Sequence, residues 1–74
     1  MNNKRRYYLR IAMDKLSTAM CMLTEIVNEE EEAFYNMPDG LQESERGQQM
    51  ESNIDTLNEL IETIETALDE MECM

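Results

Sequence analysis

The segment Lys4-Arg5-Arg6-Tyr7-Tyr8-Leu9-Arg10 sets four cations beside two aromatic rings. Near a helix start, whose free N–H groups also attract anions, this is the chemistry of a phosphate or nucleotide site, with Arg5, Arg6, Tyr7, Tyr8 and Arg10 as its contacts. The plainer reading has the same charges neutralising the acidic end of a second helix while Tyr8 and Leu9 close a helix bundle. A second candidate is a run of carboxylates, Glu59, Glu62, Glu65 and Asp69, which makes a negative rod. Such a rod can imitate a nucleic-acid backbone and occupy a basic protein groove, or it can be a solvated helix face. Glu29 to Glu32, with Glu43 and Glu45, form a negative tip without the ligand spacing of a calcium loop.

Other chemistries lack their residues. The chain has no histidine, which removes imidazole acid–base work and mixed Cys/His zinc sites, and its two cysteines are too few for a thiolate cage. Gly40 and Gly47 stand alone, so there is no phosphate-cradling loop. The expectation is a protein that is not an enzyme and carries no cofactor or metal. A net charge of −11 argues against direct binding of duplex nucleic acid. No stretch of about eighteen apolar residues is present for a membrane span, and the basic N-terminus is not followed by a signal-peptide pattern. A cytoplasmic protein with Cys21 and Cys73 as free thiols is expected.

The elements that carry these groups follow from periodicity. Leu, Ile, Met and Ala supply most of the apolar content, and Gly and Pro number only three together, which favours long helices. From Leu9, apolar residues recur at Ala12, Leu16, Ala19, Leu23, Ile26, Ala33 and Met37, with Glu30 interrupting. This three-four spacing reads as the seam of a helix packed on a helix. A second row, Met13, Met20, Val27 and Phe34, lies beside it at intervals of seven. In the second half, Met50, Ile54, Leu57, Ile61, Ile64, Leu68 and Met71 form a seam without a miss, flanked by Leu60, Ala67 and Met74.

Pro38 excludes the residue before it from helical backbone, so the spacing predicts an all-α hairpin: a first helix over about 3–36, a turn over about 37–41 and a second helix over about 42–72. Either Asp39, with Gln42 three residues on, or Ser44 caps the second helix. Folding back about Asp39 opposes residues whose numbers sum to roughly 79, which brings Arg10 and Lys15 toward Glu62, Glu65, Asp69 and Glu72. Residues 1–20 carry five cations and one carboxylate, and residues 21–74 one cation and sixteen carboxylates, a layout that favours the antiparallel arrangement. Two helices facing only each other bury little, and stripes three positions wide exceed what a two-stranded seam uses. A homodimer forming a four-helix bundle is expected, with Met13, Met20, Val27, Phe34, Leu60 and Ala67 at the interface.

Met37-Pro38-Asp39-Gly40-Leu41-Gln42-Glu43-Ser44-Glu45-Arg46-Gly47, continuing into Gln48-Gln49-Met50-Glu51, resembles the turn of a group of small acidic helical-hairpin proteins of Gram-positive bacteria and their phages. The likeness covers the second half of the chain; the first helix matches only in pattern. The group has no assigned activity, so the resemblance implies the hairpin fold and a prokaryotic or phage origin. Two functions are therefore expected. One is a self-associating α-helical interaction module. The other is a phage-borne inhibitor of host defence, acting on a basic host protein as a nucleic-acid mimic or on a nucleotide signal as a sponge.

Overall fold

The computed structural model describes all 74 residues. Helix α1 spans Asn3–Tyr35, α2 is a single turn over Asp39–Gln42, and α3 spans Glu45–Glu72. The long pair packs along its length into a rod of 58 × 15 × 13 Å. No helix is long and apolar enough to cross a membrane.

Asn2 starts α1: its side-chain oxygen accepts the backbone N–H of Arg5 at 2.8 Å and so satisfies one of the first-turn donors. From there helix formers continue unbroken to Tyr35, and Pro38 prevents further extension. Asn36 is its C-cap, which matches the expected end near residue 36.

In the connection, Ser44 is the one of the two expected caps that forms, and a short extra helix precedes it. Asp39 does not cap the long second helix; it opens the one-turn α2, with Pro38 at the N-cap. Ser44 caps α3, its Oγ accepting the N–H of Gly47 at 3.4 Å while the hydroxyl donates to the Leu41 carbonyl. The Gln42 side chain works in the opposite direction along the chain: its amide donates to the Phe34 and Met37 carbonyls, both at 3.1 Å, and so satisfies the exposed acceptors where α1 ends. One glutamine thus ties the end of α1 to α2. Because α2 and the Ser44 cap stand between the helices, α3 starts at Glu45 rather than near 42.

The register moves with it. Arg6, Arg10 and Met13 line one shallow depression with Met74, Glu72 and Met71, so residues at equal height have numbers summing to about 80 to 84, a little above the expected 79.

The seam of α3 is the expected one: Ile54 is buried, and Met50, Leu57, Ile61, Ile64, Leu68 and Met71 are half-buried. On α1 the two apolar rows exchange roles. Val27 is 5% exposed, and Leu9, Met13, Leu16, Met20, Leu23, Phe34 and Met37 are half-buried, while Ala12, Ala19, Ile26 and Ala33 are exposed. Ile11, Ser17 and Glu31 are also half-buried, but the continuous series is 9, 13, 16, 20, 23, 27, 30, 34 and 37, an alternation of four and three without a break, in which Glu30 takes a seam position and is half-buried. Side-chain size decides between the rows. Met, Met, Val and Phe carry about ten more heavy atoms than Ala, Ala, Ile and Ala, and half-burying them gains on the order of 5 kcal/mol at ~0.8 kcal/mol per buried methylene.

At the start of α3 the backbone passes so close to α2 that Gly47 is buried, and a Cβ built there lies 2.1 Å from the Gln42 carbonyl oxygen. Gly40 has nothing within 4 Å, and neither glycine has a positive φ. Gly47→Ala should therefore lower the thermal midpoint, costing more than ~1 kcal/mol, whereas Gly40→Ala should be neutral or raise stability by about 0.5 kcal/mol through the unfolded chain. Melting curves followed by circular dichroism check both; equal effects would mean that the α2–α3 approach is looser than described.

Candidate functional site

Each of the three candidate surfaces starts from a row of α1 or α3. The interface expected at Met13, Met20, Val27 and Phe34 does not face outward. These side chains lie against α3 within one chain, Val27 almost completely enclosed. Of the same expected set, Leu60 is 47% exposed and Ala67 half-buried.

What faces outward follows from the seam. On α1 the residues immediately before Met13, Met20, Val27 and Phe34 are Ala12, Ala19, Ile26 and Ala33; on α3 those before Ile54, Ile61 and Leu68 are Asn53, Leu60 and Ala67. In an antiparallel pair these two rows flank the seam on the same edge, because reversing a helix reverses the sense of its wheel along with its direction. The opposite edge carries Arg10 from α1 and Glu72 from α3, which share one depression as this geometry requires. The next rows outward on the first edge are Tyr8, Lys15, Met22 and Glu29 on α1 and Gln49, Thr56, Thr63 and Glu70 on α3.

Charge is distributed very unevenly between the two edges. Along the helices, the four rows of the first edge hold Arg5, Lys15 and Arg46 against Glu29 and Glu70, a net +1 in a chain of net −11. The middle of this edge presents the large apolar side chains Met22 (58% exposed), Ile26 (46%) and Leu60 (47%) among alanines. Ala12, Ala19, Ile26 and Ala33 are thus on the surface rather than in the expected seam, and the unbroken four-three alternation through Glu30 is the signal that separates the rows.

The basic end is less concentrated than its sequence suggests. Arg5, Arg6, Tyr7, Tyr8 and Arg10 are all exposed, and the two tyrosine rings meet edge to face with centroids 5.7 Å apart. At 100° per residue, however, Arg6 and Arg10 lie toward α3, Tyr7 faces away from it, and Arg5 and Tyr8 fall on the rows of the uncharged edge. Arg6 donates through Nε to the Met1 carbonyl at 3.4 Å, and with Arg10 it lines the depression that also holds Glu72. Glu72, lining the same depression, adds negative charge that opposes an anionic ligand there. Nor does Tyr8 close a bundle within one chain, since it is 57% exposed.

Glu59, Glu62, Glu65 and Asp69 are exposed and share one face of α3, spread over about 120° of the wheel. This face lies away from the uncharged edge. No three acidic or thiol side chains come together in a way that could hold a metal ion. No protein-family model matches the chain, and neither a curated protein nor a solved structure matches it.

Cys21 and Cys73 are both free and exposed, on the outer sides of α1 and α3. Both should react with a thiol reagent in the native protein, giving two equivalents without denaturant. A second equivalent released only on unfolding would show that one of them is covered.

Proposed function

We propose that the protein is a non-enzymatic α-helical interaction module that self-associates through its uncharged edge, two hairpins forming a four-helix bundle. The observation that carries this reading is the near-neutral edge with Met22, Ile26 and Leu60 exposed at its centre, in a chain whose remaining surface is strongly acidic. Copies of a chain at −11 repel one another, and this edge is where two copies can meet without bringing carboxylates together. Its size suits the role. A face of 58 × 15 Å gives a footprint on the order of 800 Å² per partner, the usual scale of a stable interface.

The chain's thin core supports the same reading. Only Val27 and Ile54 among the apolar residues are buried in one hairpin, and covering the edge adds apolar burial where a small domain is short of it. With that edge covered, Glu59, Glu62, Glu65 and Asp69 remain outward, and we propose this acidic face as the surface that meets a basic partner, as a nucleic-acid mimic would. A sponge for a nucleotide signal is less well supported, because Glu72 lines the same depression as Arg6 and Arg10.

Light scattering at micromolar concentration tests the reading. The native chain should have the mass of two chains, and Ile26→Glu with Leu60→Glu should give a single-chain mass while keeping a helical spectrum. A native protein that is monomeric and fully helical at these concentrations contradicts it.

A further inference from the structure

The uncharged edge is complementary to itself when reversed about Met22. Along α1 its inner row runs Ala12, Ala19, Ile26, Ala33, and its outer row carries Lys15 and Glu29 seven residues to either side of Met22. We infer that the partner on this edge is a second copy placed by a two-fold axis perpendicular to the helices, crossing α1 beside Met22 and α3 beside Leu60. The inference rests on the self-association proposed above and specifies its geometry.

Turning α1 end for end about Met22 sets Ile26 against Ala19 of the second copy and Ala12 against Ala33. A large side chain then meets a small one, and alanines meet where the helices approach most closely, which is the interdigitation that helix packing requires. The same operation brings Lys15 opposite Glu29 of the second copy, and does so twice by symmetry. The one cation and one carboxylate of this row therefore satisfy each other. Placed without the reversal, with like ends together, each would face its own kind.

The other helix supplies an independent check. A single axis must cross both helices at one height. Residues at equal height have numbers that sum to about 80 to 84, judging from the depression that groups Arg6, Arg10 and Met13 with Met74, Glu72 and Met71. The residue of α3 level with Met22 therefore falls at about 58 to 62, and Leu60, 47% exposed, is the large apolar side chain that α3 presents on this edge. About that point Thr56 falls opposite Thr63 of the second copy and Glu70 opposite Gln49, so no like charges meet. An axis parallel to the helices would instead stack α1 on the partner's α3. That arrangement matches the charges equally well, pairing Lys15 with Glu70 and leaving Glu29 without a cation where the perpendicular axis leaves Glu70, but it crowds Met22 and Ile26 against one Leu60.

Cross-linking and charge reversal test the axis. In a Cys21→Ser, Cys73→Ser background, Met22→Cys should form a disulfide-linked dimer under mild oxidation, and Glu62→Cys, on the opposite face, should not. Lys15→Glu and Glu29→Lys should each weaken the dimer about tenfold, since each replaces two attractive exposed pairs with two repulsive ones. The double variant should recover native affinity, and an equimolar mixture of the two single variants should form the heterodimer in preference to either homodimer. A dimer that Met22→Cys does not link, or one in which Glu70→Lys rather than Glu29→Lys rescues Lys15→Glu, overturns the axis and leaves self-association standing. A chain that stays monomeric overturns both.

Discussion

Two helices in contact can each bury two rows of side chains, and α1 carries three. Everything distinctive about this protein follows from that mismatch. The α3 seam has only one apolar partner face to offer, so the rows of α1 compete for it, and the larger side chains of the Met13, Met20, Val27, Phe34 row take it together with Leu9, Leu16 and Leu23. The smaller row is left on the surface as a flat, nearly uncharged edge. A hairpin of this size has no third layer with which to cover it.

The connection makes the competition possible to resolve. A rod with matched seams needs its two helices held at a fixed height, and three features near the turn fix it: the Gln42 amide across the end of α1, the Ser44 cap, and the absence of a side chain at Gly47. None of these groups lies in the core. Each satisfies backbone groups or removes an obstruction, so that burial along the seam, individually modest at every layer, is gained at all layers at once. Glu30, half-buried in the seam near this end, weakens one layer without shifting the others, because the register is already set by the turn.

How much of this was legible beforehand depended on how the residues divide the wheel. On α3 every large apolar residue but Leu60 falls in one four-three series, and most of the acids fall elsewhere, so seam and face were readable directly. On α1, alanine at 12, 19 and 33 mimics a core position by type while offering little area, and Glu30 interrupts the true seam by type while keeping its spacing. Residue class misled where spacing and size did not. The turn was legible only as alternatives, since a hydroxyl at 44 and a carboxylate at 39 are equally good caps until the path of the chain is known. The basic end illustrates the opposite failure: Arg5, Arg6, Tyr7, Tyr8 and Arg10 are contiguous in sequence, but a helix distributes contiguous residues around its axis, and the cluster disperses.

The division of α1 into a row closed within the chain and a row left on the surface, where we propose a second copy binds, can be read out at neighbouring positions. Single cysteines would be placed at Val27 and at Ile26 in a chain lacking Cys21 and Cys73, and their labelling rates followed as the protein is diluted. The account predicts slow labelling at 27 at every concentration, and labelling at 26 that is slow in concentrated solution and fast in dilute. Labelling at 27 that accelerates on dilution to match 26 would contradict it, placing both rows at the same surface and removing the seam on which the rest depends.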